Sequence, residues 1–135
     1  MRHAFEYAVL RVVPRIERGE CLNAGVLLYC RALDHLGARA HLDPARLAAL
    51  DPAADAAAIA RALDAVVALC GDDTAGARYS GPAGEEDRGR RFRRLTAPRS
   101  TVVQPGPVHT GLTTDPAADL SHLLDSLVHP PRLRS

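Results

Sequence analysis

Apolar runs interrupted by polar residues fill the first forty positions, and further along the apolar ones recur at helical spacing. Phe5 to Val13 is β-branched and aromatic, interrupted by Glu6 and Arg11, and Pro14 closes it. That pattern predicts a strand. Glu17 to Glu20 reads as a turn, and Cys21 to Ala32 as a second strand. Gly25 inside it marks a bulge or a close backbone approach. Asp34 to Gly37 turns the chain again, and Ala38 to Leu42 predicts a short third strand, giving an antiparallel meander.

Three Asp-Pro pairs, Asp43-Pro44, Asp51-Pro52 and Asp115-Pro116, each predict a helix start. The aspartate accepts from orphan backbone N–H groups, and proline has no N–H to leave unpaired at the first helical position. The expected helices run from Pro44 to Leu50, from Pro52 to Cys70 with Ile59, Leu63, Val66 and Cys70 on one face, and from Pro116 to Val128. In the last, Leu120, Leu123, Leu124, Leu127 and Val128 form an apolar stripe. Residues 71 to 89, rich in Gly, Asp and Ser, read as a mobile loop, with a short helix starting near Glu85 despite Gly89. Ser100 to Gln104 and Val108 to Thr113 predict a hairpin around Pro105-Gly106-Pro107. The expected fold is α+β: an antiparallel sheet of about five strands, a three-strand meander plus a C-terminal hairpin, with three main helices packed on one face. Residues 1 to 135 read as a single domain.

Composition narrows the class. The chain has 135 residues, 47% of them apolar, enough for a core without disulfides or metals. No apolar run reaches the ~18 residues of a membrane helix, and the start does not resemble a leader, so the expected location is cytoplasmic. The three cysteines, Cys21, Cys30 and Cys70, form no C-x-x-C pair and are expected to be reduced. Cys21 and Cys30 are nine apart, which on a regular strand puts them on opposite faces. No zinc spacing, Walker loop, G-x-G-x-x-G or nucleophile elbow occurs, so no metal or cofactor is expected.

All seventeen basic residues are arginine, which reflects base composition more than function. Their clustering is more informative: six fall between Arg88 and Arg99, although the net charge is only +1. The planar guanidinium fork of Arg90, Arg91, Arg93 and Arg94 fits phosphate or carboxylate. Three readings stand. The run is a solvated surface helix paired with its own acids, Glu86 to Arg90 and Asp87 to Arg91. It docks on an acidic protein surface. Or it holds nucleic acid or a phosphorylated small molecule, against which the low net charge counts, with Phe92 and Tyr79 the only aromatics nearby.

Further candidates follow. In Thr96-Ala97-Pro98-Arg99-Ser100-Thr101, backbone N–H groups beside Arg99, Ser100 and Thr101 would form an anion-binding nest, or else a loop capped by its own hydroxyls. His109 beside Thr110 has acid/base chemistry, as in two-histidine phosphodiesterases, although no second copy of the motif is found. Arg18, Glu20 and Asn23, in a turn with Arg15 and Glu17, are secondary candidates for a ligand or metal.

Two segments carry a family likeness. Tyr7-Ala8-Val9-Leu10-Arg11-Val12-Val13-Pro14 through Glu17-Arg18-Gly19-Glu20-Cys21-Leu22-Asn23-Ala24-Gly25-Val26 is one. Leu95-Thr96-Ala97-Pro98-Arg99-Ser100-Thr101-Val102-Val103-Gln104 with Val108-His109-Thr110-Gly111 is the other. Together they resemble the small bacterial domain-of-unknown-function family numbered three-zero-three-seven. The resemblance brings no catalytic residues with it. It implies a partner, because members are often encoded beside a HipA-type serine/threonine kinase. Position 94, often aromatic in the family, is Arg94 here.

Three functions are therefore expected in competition. They are a non-enzymatic partner or regulator of a HipA-like kinase, a small phosphoesterase or transferase using Arg99, Ser100 and His109, and a nucleic-acid binder using the arginine run.

Overall fold

The computed structural model describes residues 1–70 and 87–131. They form an α+β fold with one five-stranded antiparallel sheet. Its elements are β1 (His3–Val12), β2 (Leu22–Cys30), β3 (His35–Ala40), α1 (Pro44–Leu50), α2 (Ala56–Cys70), α3 (Arg88–Leu95), β4 (Val103–Pro105), β5 (His109–Thr113) and α4 (Pro116–Leu127). β2 lies between β3 and β1, and the other side of β1 carries both β4 and β5.

The alternation of β1 and β2 sorts the apolar residues into two cores. Leu10, Val12, Leu22, Ala24, Leu27 and Leu36 pack beneath Leu47, Ile59, Leu63, Cys70, Phe92 and Leu95 of α1, α2 and α3. Phe5, Val26, Leu28 and Cys30 pack beneath Leu120, Leu124 and Val128. The helices thus cover both faces, not one as expected. The apolar stripe of α4 fixes which side of the helix is buried, but not which side of the sheet it meets.

Gly25 sits at a bulge. Leu10 pairs with Gly25 and Arg11 with Asn23, so Ala24 is the extra residue. A side chain at Gly25 would also press within 2.9 Å of the Arg39 carbonyl, so the close approach is real as well. The bulge reverses the alternation: Leu22 and Ala24 join the first core, while Asn23 donates to the Leu127 carbonyl of α4 at 3.0 Å. Cys21 falls just before β2 and is exposed, so the opposite-face pairing with Cys30 does not arise.

The hairpin is replaced by a broken edge strand. β4 pairs with Leu10–Val12 and β5 with His3–Tyr7, both antiparallel to β1. Two strands antiparallel to the same neighbour run the same way, so they follow one another and do not fold back. Pro105 still pairs with Leu10, and Gly106 donates to the Val9 carbonyl at 2.7 Å; the register then slips by one residue before Tyr7 meets His109, while the prolines leave the outer edge without N–H groups.

Two of the three Asp-Pro starts hold. Asp43 accepts from the N–H groups of Ala45 and Arg46, and Asp115 from that of Ala118. At the third, Asp51 accepts from Ala53 and turns the chain. The helix begins later, at Ala56, because Asp55 takes the Ala58 N–H at 3.0 Å and caps it instead. β3 begins at His35, ahead of the expected Ala38, because Asp34 adopts a left-handed conformation (φ 48°) that completes the turn there. Of the expected mobile loop, residues 71–86 lie outside the described residues, as do Glu85 and Glu86. Arg88 and Gly89 belong to α3, which is capped by Asp87.

Candidate functional site

The arginine run is folded into α3, and the helix distributes it around three sides. Phe92 is completely buried, and its ring stacks on Tyr29 of β2 at 5.6 Å. That contact anchors the helix to the sheet. Gly89 lies over the same tyrosine, since a Cβ there would meet the Tyr29 hydroxyl at 2.9 Å. Arg91 is buried with Phe92, and its Nη1 donates to the Leu69 carbonyl at 3.3 Å. This places a cation at the C-terminal end of α2, whose own last turn has none. Arg91 is thus part of the helix packing.

Arg88, Arg90 and Arg93 lie on the side of α3 facing the turn after β2. There they line a shallow cavity of about 550 Å³ with Glu6, Tyr29, Arg31, Asp34 and Asp87. Arg93 makes a two-pronged pair with Glu6 at 2.6 and 2.7 Å, which holds the guanidinium still more firmly protonated. Arg88 reaches Asp34 at 2.7 Å. Asp87 accepts the Arg90 N–H at 2.7 Å as the helix cap, while the Arg90 side chain comes no closer than 3.9 Å to it. Arg31 makes no ion pair among the described residues. Among the described residues four cations thus face three carboxylates, two of which, Glu6 and Asp34, come from a distant strand and turn. Arg94, in the last turn of the helix, is exposed.

The loop after α3 satisfies its own hydroxyls. Thr96 donates to the Phe92 carbonyl at 2.8 Å, and Thr101 to that of Val103 at 2.7 Å. Arg99 donates to the Arg94 carbonyl at 2.9 Å, which helps close the end of α3, and Ser100 is exposed. Arg99 and Thr101 border a separate cleft against α2, to which neither His109 nor Thr110 contributes. His109 is exposed on β5 with its ring 5.3 Å from that of Tyr7. Thr110 lies opposite Glu6 in the register.

Among the secondary candidates, Arg18 and Glu20 form an exposed ion pair. Their hydrogen bond raises the arginine pKa and lowers that of the carboxylate. Asn23 is occupied by the contact to α4 already described. Among the described residues no group of three His, Cys, Asp or Glu side chains is placed to hold a metal ion. No described helix is long and apolar enough to cross a membrane.

Sequence reading did not bring Glu6, Tyr29, Arg31 and Asp34 to the arginine run. Their one local signal was Asp34 in a tight turn. The rest depends on the way α3 crosses β2.

A family model described as protein of unknown function (DUF3037) matches residues 7–128. The chain belongs to this family. The DUF3037 match takes in the whole of α3, the loop after it and both pieces of the edge strand. Of the residues lining the arginine cavity, only Glu6 falls outside it. No curated protein and no solved structure matches the chain.

Proposed function

We propose that this chain is a non-enzymatic binding partner whose arginine-lined face docks an acidic surface of another protein, and that the partner is a HipA-like serine/threonine kinase. The observation that carries the reading is the cavity in front of Tyr29. Its ion pairs hold Arg88 and Arg93 in place before any partner arrives, so less side-chain freedom is lost on docking. Beside them, Arg90 is 81% exposed and Arg31 has its fork unengaged among the described residues. Carboxylates brought in between those two would meet open guanidinium forks flanked by the held Arg88 and Arg93 and by an aromatic ring, the kind of Arg and Tyr grouping that forms interface hot spots. The choice of kinase rests on the family context.

Two other readings have less support. A phosphoesterase or transferase would need Arg99, Ser100 and His109 to converge, and the cleft bordered by Arg99 does not include His109. A nucleic-acid binder would need a clear basic excess, and the net charge is +1.

The test is co-purification of the full chain with a HipA-type kinase, followed by calorimetry. A complex is expected whose affinity falls with salt. In the doubly reversed Arg31→Glu, Arg90→Glu variant it should weaken by about a hundredfold, as expected for two charge-assisted contacts. Absence of a complex at micromolar concentration in low salt overturns the proposal.

A further inference from the structure

A second cavity of about 550 Å³ opens between α2 and the segment after α3. Its composition is the opposite of the first. One wall is the side of α2 carrying Ala58, Ala62 and Ala65 beside Ile59. The other is formed largely by Val102 and Val103. The trench exists because alanine side chains stop at Cβ. Where α2 carries the larger Leu63, it closes onto the sheet, with 2% of that residue's surface exposed. Where it carries alanine, a gap remains between helix and strand.

Charged groups enter this apolar trench at two points. Asp55 is the cap of α2, and its carboxylate accepts the Ala58 N–H at 3.0 Å, so the positive end of the helix offsets its charge. Arg99 differs. Its Nη2 donates to the Arg94 carbonyl at 2.9 Å, which fixes the side chain at the cleft wall. The rest of the guanidinium fork has no partner among the described residues. An apolar cavity in the ~300–1,000 Å³ range with one positioned polar group is the usual make-up of a small-molecule site.

From this we infer that the cleft binds a hydrophobic monocarboxylate, its chain or ring lying against the alanine row of α2 and its carboxylate paired with Arg99. The Arg fork holds a carboxylate through two N–H donors, and the apolar walls favour the body of the ligand by excluding water from it. This site shares no residue with the arginine cavity in front of Tyr29, and its success or failure leaves the docking proposal untouched.

Decanoate and decanol serve as probes of the full chain, by calorimetry and by NMR titration of the backbone amides. Decanoate is expected to bind saturably, with shifts concentrated in residues 54–66 and 99–103. Arg99→Gln should weaken decanoate about tenfold, the loss of one charge-assisted pair, while leaving decanol unchanged. Ala62→Leu and Ala65→Leu lie at exposed helical positions that tolerate leucine, so the fold is retained, and each should fill the trench and displace both probes. The inference is overturned if decanoate does not saturate at millimolar concentration. It is also overturned if the two leucine variants, verified as folded by circular dichroism, bind like the parent. A loss in Arg99→Gln that is equal for decanoate and decanol overturns it as well.

Discussion

The two faces of the sheet are built differently. Three helices cover one, and two cavities open beside them, one lined by arginines and one by alanines. A single helix covers the other, over β2 and β3. Where α4 does not reach, that face closes itself: the Phe5 ring lies across Gly111, and Tyr7 leans on His109. The first face thus keeps two open cavities, whereas on the second aromatic side chains close the surface that α4 leaves uncovered. His109, the one histidine with a catalytic reading, sits in that second arrangement as a ring packed against a ring.

The largest expected effect falls on the helix-rich face. Phe92→Ala should cost ~3–5 kcal/mol in chemical denaturation, because α3 hangs on that side chain. A loss below ~1 kcal/mol would mean that α3 is held by its ion pairs and that the contrast between faces is overstated. On the other face, Gly111→Ala places a Cβ 2.6 Å from the Phe5 ring. It is expected to cost ~1–3 kcal/mol through overpacking, and pairing it with Phe5→Leu should recover part of the loss.

Acid is expected to have a smaller effect. The Nε2 atom of His35 is buried beside Gly37 with no hydrogen-bond partner among the described residues. Burial, helped by the charge of Arg88, lowers its pKa below the ordinary 6.5. The unfolded chain therefore takes up this proton first, so stability is retained above pH 6.5 and is lost as pH falls toward the lowered value. Denaturation followed across that window should show a steeper loss for the parent than for His35→Asn. Equal slopes would refute it.

Smaller still is Glu6→Gln, which removes the partner of a 57%-exposed Arg93. Less than ~1 kcal/mol is expected, and less again at high salt. Thiol labelling carries no stability cost and compares the faces directly. Exposed Cys21 should react at once. Cys30 is buried under α4, and burial pushes the Cys70 thiol up to about 12, so both should wait for unfolding. Whichever of the two reacts first in mild denaturant identifies the face that opens first.

Local chemistry explains what was legible in advance. The β-branched and aromatic strand runs, the aspartate caps at Asp43 and Asp115 and the bulge at Gly25 are each decided within a few residues. The side of the sheet chosen by α4 is not, because an apolar stripe is satisfied by either face. Pro105-Gly106-Pro107 was ambiguous for a different reason: prolines interrupt a ladder as readily as they turn a chain. Long-range charge was the least legible. The neighbour pairs weighed were Glu86 with Arg90 and Asp87 with Arg91, and nothing local marked Glu6, 87 positions away, as the partner of Arg93. The alanine-walled cleft escaped notice because an alanine-rich helix in an arginine- and alanine-rich chain carries no distinguishing mark.

The interrupted edge strand has a consequence for behaviour in crowded solution. Unbroken from Val103 to Thr113, it would offer an incoming chain one long row of unpaired amides on which to zip, the route by which sheets grow into aggregates. The two prolines divide that row into a three-residue and a five-residue piece, each too short to seed much growth. Replacing Pro105 and Pro107 with threonine would complete the row, and the expected price is a protein that precipitates on concentration.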